Sequence, residues 1–107
     1  SLVVLAGPAA GSEHELDRES VSVGRGPGVD IAFGDAAMSR EHAVFELLAE
    51  GYRVRDLGST NGLCINGARV LAADLKHGDR IELGEHVLQY VVCGRERVGR
   101  YDLSEVD

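Results

Sequence analysis

No tryptophan occurs in the 107 residues, aromatic residues total 5%, and there are two prolines, two cysteines and one methionine. Scarce aromatics remove the stacking platforms on which single-stranded nucleic acids are held. Cations are also in deficit: 11 Lys+Arg against 18 Asp+Glu leave a net charge of −7. A general nucleic-acid or anionic-membrane binder needs a basic face, so that class is excluded. Cys64 and Cys93 stand too far apart for a Cys-x-x-Cys redox pair or a zinc framework, and read as small apolar side chains in or near strands. His14, His42, His77 and His86 are scattered without ligand spacing, so neither a metal nor another cofactor is expected. Apolar runs such as Leu2–Ala6 are far too short to cross a bilayer. Residues 1–7 lack the basic start and long apolar stretch of a secretory signal, and a reducing cytoplasm is the expected compartment. Ser1, where an initiating Met would stand, suggests an excised or tagged chain.

Glycine, by contrast, is abundant, with 14 residues, roughly twice ordinary usage. The glycines fall between short apolar runs, which predicts tight turns between many short strands. Residues 2–5 form one run and end at Gly7-Pro8. Residues 12–16 alternate weakly, and Val21-Ser22-Val23 stops at Gly24-Arg25-Gly26-Pro27-Gly28. Residues 29–33, 52–55, 80–83 and 86–92 alternate apolar and polar side chains. Leu63-Cys64-Ile65 and Arg69-Val70-Leu71 flank Asn66-Gly67, a strong two-residue hairpin signal. Residues 39–50 are ambiguous. Local propensity favours a helix capped by Ser39, whereas Ala43, Phe45, Leu47 and Ala49 also share a period-two face, and the surrounding strands favour the strand reading. At least nine short strands separated by glycine-rich turns, with no convincing helix, predict a β-sandwich or a small barrel. Residues 1–93 form the expected domain, and residues 94–107, with seven charges, read as a C-terminal extension or linker.

Chemistry is concentrated in the predicted loops: Gly24-Arg25, Ser39-Arg40-Glu41-His42, Asp56-Leu57-Gly58-Ser59-Thr60-Asn61-Gly62, and Asn66-Gly67. Singly, each reads as an ordinary turn. In a sandwich, however, loops separated by two strands return to the same end. Together Arg25, Arg40, Ser39, Thr60 and Asn61 would supply guanidinium, hydroxyl and amide donors, an inventory suited to a tetrahedral oxyanion.

In order, spacing and identity these elements resemble the forkhead-associated (FHA) domain, a phosphothreonine-binding β-sandwich, from about residue 21 to residue 92. The segment Gly78-Asp79-Arg80-Ile81-Glu82-Leu83-Gly84 is similar to the family's closing strands. The resemblance implies an all-β sandwich of two twisted, mainly antiparallel sheets, with about eleven short strands and its binding loops at one end, and it implies recognition of phosphorylated threonine peptides by an arginine-based site. It implies that Arg25, Ser39, Arg40 and Thr60 touch the phosphate while Asn61 grips the peptide backbone. Gly24, His42, Gly62 and Asn66 would support the site. The implied partner is a phosphothreonine protein or peptide, in trans or from a segment outside this chain, bound by a monomeric domain. Downstream peptide residues are expected against an apolar surface at Ala36, Ala37 and Met38, with Asp35 and Glu85 repelling acids.

Two rivals remain beside this reading. Ser39, His42 and Asp56 name the members of a hydrolase triad, but no Gly-x-Ser-x-Gly elbow surrounds the serine, and no enzyme is expected. The alternative function is a phosphate-independent protein-interaction module on the same fold.

Overall fold

The computed structural model describes residues 1–34 and 36–92, and within them the chain forms eleven strands. In order these are β1 (Leu2–Ala6), β2 (Glu13–His14), β3 (Ser20–Gly24), β4 (Ile31–Ala32), β5 (Ala43–Leu48), β6 (Gly51–Asp56), β7 (Leu63–Ile65), β8 (Ala68–Val70), β9 (Ala72–Asp74), β10 (Arg80–Leu83) and β11 (His86–Tyr90). They build a six-stranded sheet ordered β2-β1-β11-β10-β7-β8 and a five-stranded sheet ordered β4-β3-β5-β6-β9. All pairings are antiparallel except the parallel pair β3 and β4.

Period-two patterning assigns the inner faces. Leu2, Val4, Leu63, Ile81, Leu83 and Leu88 turn inward from the first sheet, and Val21, Val23, Phe45, Tyr52 and Val54 from the second, to make one core. The polar partners Ser22, Arg53, Arg55 and Glu82 remain outside. Asn66 at φ 52° and Gly67 at φ 87° form the tight turn of the β7–β8 hairpin. Two successive positive φ values match the twist of the flanking strands.

Several expected boundaries move. The weakly alternating residues 12–16 contribute only Glu13–His14, and residues 29–33 only Ile31–Ala32. The hairpin return begins at Ala68 and ends at Val70, and β11 stops at Tyr90. Ala72–Asp74, which the pattern did not indicate, pairs with β6 as an edge strand. The ambiguous 39–50 stretch splits: its first residues are loop, and Ala43–Leu48 is a strand. That strand pairs with β3 on one side and β6 on the other. Ladder bonds from both neighbours and burial of Ala43 and Phe45 override the local helix preference. The period-two face fades toward the turn, where Leu47 is 49% exposed. The proposed boundary at residue 93 and the extension at 94–107 lie outside the described residues.

Candidate functional site

Strand β3 ends at Gly24, whose Cα packs against the Ser39–Arg40 backbone. A Cβ there would stand 2.1 Å from the Arg40 carbonyl oxygen and 2.9 Å from that of Ser39, so only glycine allows this approach. The contact lets the Arg25 N–H donate to the Ser39 carbonyl at 2.9 Å and the Gly26 N–H to the Arg40 carbonyl at 3.0 Å. Arg25 Nε also donates to the Met38 carbonyl at 3.0 Å, which fixes the side chain along this segment. Its terminal nitrogens make no hydrogen bond to protein among the described residues. Arg40 is exposed, and beside it lies an open depression of about 470 Å³ lined by Gly26, Pro27, Gly28 and Glu41.

His42 is fully buried and holds the loops in register. Its Nδ1 accepts the Ser39 N–H at 3.1 Å, so the ring proton sits on Nε2, which donates to the Gly62 carbonyl at 2.7 Å. Its backbone N–H reaches the Val23 carbonyl and its own carbonyl accepts the Leu57 N–H, each at 2.9 Å. One residue thereby ties β3, the 39–42 loop and the 56–62 loop together.

The 56–62 loop is organised by Asp56. Its carboxylate accepts the N–H groups of Gly58 and Ser59 at 3.2 Å and the Ser59 hydroxyl, and Ser59 Oγ in turn accepts the Gly62 N–H at 2.9 Å. Gly62, at φ 81°, closes the loop in a conformation that L side chains rarely adopt. Thr60 donates its N–H to Ser39 Oγ at 3.0 Å, which leaves the Ser39 hydroxyl hydrogen for an outside acceptor. Asn61 Nδ2 donates to the Ala37 carbonyl at 2.6 Å, leaving its Oδ1 as an acceptor.

The structure therefore brings Gly24, Arg25, Ser39, Arg40, His42, Thr60, Asn61 and Gly62 to one end. Asn66 is not among them, which corrects its expected role in supporting the site. Strand β7 carries the chain away from Gly62, and at the other end Asn66 bonds to Asp79 at 3.0 Å and to the Arg80 N–H at 2.9 Å. Met38 is 1% exposed, so the expected apolar seat for a downstream residue is core. The triad geometry is also absent from these three residues. His42 uses Nδ1 on the Ser39 backbone and Nε2 on Gly62, while Asp56 bonds Ser59 rather than His42.

Sequence reasoning missed the bracing role of Asp56 and Ser59, although an Asp followed three residues later by Ser is a recurrent side-chain-to-backbone turn. It also missed Arg69, which no local signal marks. A Cβ at Gly62 would lie 2.7 Å from Cζ, Nε and Nη2 of Arg69 alike, so this guanidinium packs face-on against the loop.

Fold and loops together define an all-β binding module that presents hydrogen-bond donors for an oxyanion. A family model for the cytoplasmic domain of the inner membrane component of the type III secretion system, a domain of forkhead-associated type, matches residues 3–93. The oxoglutarate dehydrogenase inhibitor of Corynebacterium jeikeium is 39% identical over 95 residues, covering 89% of this chain and 66% of that protein. The glycogen accumulation regulator GarA of Mycolicibacterium smegmatis is 41% identical over 90 residues, covering 84% and 57%. A solved structure from a study of phosphothreonine-dependent FHA domain interactions superposes with a TM-score of 0.78 at 28% identity, covering 86% of this chain and 94% of that one. The chain belongs to the forkhead-associated domain family. It spans between 57% and 66% of the length of these two curated relatives.

Proposed function

We propose that this chain is a phosphothreonine-dependent protein-binding module of the signalling-adaptor kind. The observation that carries the reading is the set of backbone bonds that draws Arg25, Ser39, Arg40 and Thr60 together, the Arg25 N–H on the Ser39 carbonyl, the Gly26 N–H on the Arg40 carbonyl and the Thr60 N–H on Ser39 Oγ, with no ion pair to either arginine among the described residues. A phosphate dianion has several acceptor oxygens and needs donors spread around a tetrahedron. Arg25 and Arg40 supply charge and planar forks, Ser39 its remaining hydroxyl hydrogen, and Thr60 its side-chain hydroxyl. Asn61, its Nδ2 engaged by Ala37, offers Oδ1 to a peptide N–H beside the phosphothreonine. Gly24, His42 and Gly62 keep the loops at the spacing this requires, so the site is assembled before the ligand arrives.

The partner is a phosphothreonine-containing protein or peptide, in another polypeptide or in a segment outside this chain. The whole-protein activities named for the relatives are not needed for this reading. We read the module as a binder and not an enzyme, a reading supported by His42, whose two ring nitrogens are both engaged by the backbone, and by the lack of a base hydrogen-bonded to Ser39 Oγ among the described residues. Its compartment is the cytoplasm, a proposal that accords with the lack, among the described residues, of a helix long and apolar enough to cross a membrane.

Calorimetric titration with one phosphothreonine peptide and its unmodified twin tests the function. Binding of the phosphorylated form alone is expected. Equal binding of both would replace it with the phosphate-independent interaction module.

A further inference from the structure

Three arginines flank the loop end without an ion pair among the described residues, and the phosphate reading uses only Arg25 and Arg40. The third is Arg69. It stands on β8 opposite Cys64, and Cys64 in turn pairs with Glu82 on β10. Strand spacing puts Arg69 and Glu82 roughly 10 Å apart across that row. The guanidinium turns instead toward Gly62 and lies flat on it. Arg69 is exposed, and its N–H groups make no hydrogen bond among the described residues. Two residues on, Leu71 is 81% exposed, and its carbonyl accepts the Asp56 N–H at 2.8 Å, which places it at the same end of the sandwich. Asn61, proposed to hold the peptide backbone, is the neighbour of Gly62.

We propose that Arg69 is a specificity-determining residue that reads an acidic side chain on the phosphothreonine ligand, where the peptide runs past Asn61 toward the β7–β8 edge. The proposal rests on the phosphothreonine reading and extends it by naming a second ligand group. Arg69 lies outside the set expected from the sequence, and it replaces the apolar seat that burial of Met38 removes. An exposed guanidinium without a protein partner offers a carboxylate a planar fork of N–H donors. The exposed Leu71 gives the aliphatic stem of a Glu or its neighbour an apolar surface to lie on.

An oriented library with fixed phosphothreonine and degenerate flanks should show enrichment of Asp or Glu at one flanking position. Peptides with Glu or Gln at that position are then titrated into the wild-type chain and Arg69→Gln. The Glu peptide should bind the wild-type chain about three- to fivefold tighter than the Gln peptide, in keeping with an exposed charged pair. That preference should vanish in Arg69→Gln, the Glu peptide losing about three- to fivefold more affinity than the Gln peptide. Acid enrichment that survives Arg69→Gln, or no acid enrichment at any position, overturns the proposal. Equal weakening of both peptides overturns it too, since Arg69 would then only support the loop. If neither phosphopeptide binds the wild-type chain, the phosphothreonine reading itself fails and this inference falls with it.

Discussion

Arginines occur in two settings in this molecule. On the outer face of the five-stranded sheet, Arg53 meets the directly opposite Asp74 at 2.8 Å, and Arg55, opposite Val44, reaches diagonally to Glu46 at 3.0 Å. Hydrogen bonds to these carboxylates raise both guanidinium pKa values, and Arg55 lowers that of Glu46 through the same bond. At the loop end Arg25, Arg40 and Arg69 have no acid within ion-pair distance among the described residues. Yet acids outnumber cations in the chain, 18 to 11. The comparison teaches that leaving three cations unpaired in an acidic protein creates a local positive field. That field favours an incoming anion more than it favours the fold. On the sheet face, charge serves solubility and modest local stability. At the loops, on the proposed function, it serves recognition.

The sharpest way to break this division is to disturb the backbone that holds the loops. Gly24→Ala places a methyl group 2.1 Å from the Arg40 carbonyl oxygen, and the main chain must move to admit it. We expect a loss of about 3 kcal/mol in chemical denaturation, together with loss of phosphopeptide binding. Unchanged stability would show that the loop framework is softer than the geometry indicates.

Arg25→Ala should do the reverse. Stability should stay close to wild type, while binding weakens by about 1.5–3 kcal/mol, tenfold or more, in calorimetry. Normal binding by this variant would remove Arg25 from the site.

Acidification should separate the two settings by pH. The phosphate's second pKa lies near about 6, so affinity should fall between about pH 7.5 and 5 as the dianion takes up a proton. The fold should persist through that window. Glu46 is held below its ordinary 4.5 chiefly by the Arg55 hydrogen bond, and Asp30 below 3.8 chiefly by the Ser22 backbone N–H. A carboxylate with a depressed folded-state pKa stabilises above its unfolded value, and that contribution disappears only as pH falls through the folded value. Circular dichroism and peptide titration over one pH series check this, and coincident loss of structure and affinity near pH 6 would contradict it.

The smallest effect is expected from Arg55→Ala. The pair is exposed, so peptide affinity should not change and the thermal midpoint should move least of the variants named. A marked drop in phosphopeptide affinity would mean that the sheet face and the loops are electrically coupled.

Much of the site was legible before any coordinates because its donors occupy motifs of fixed local order. Ser39 and His42 sit in one loop, and Asp56, Ser59, Thr60, Asn61 and Gly62 in another, and the turn chemistry of Asp, Ser, Asn and Gly acts over a few residues. The failures share a cause. Asn66 was read as support for the site because Asn-Gly marks a turn, but a turn signal does not say at which end of the sandwich the turn lies. Ala36, Ala37 and Met38 carry no cation and lead into Ser39, which suggests an apolar seat beside the site, but Met38 belongs to the core cluster, and its local sequence does not tell surface from core. Arg69 bears on the loop only because β8 runs back beside β7.

Alternation and glycine placement in the sequence by themselves determined that the chain is built of many short strands, and the pairing of those strands into two sheets decided for a sandwich over a small barrel. Those patterns act through the two-residue period of a strand and the φ freedom of single residues, both local properties. The tertiary structure decided that residues 43–48 are strand rather than helix, since ladder bonds from β3 and β6 outweigh a propensity worth a fraction of a kcal/mol per residue. It also decided which arginines find acids and which stay open to a ligand. Ion pairing depends on which side chains the folded sheets bring within about 4 Å, and Arg53 with Asp74, 21 positions apart in the chain, meet only through the pairing of β6 with β9.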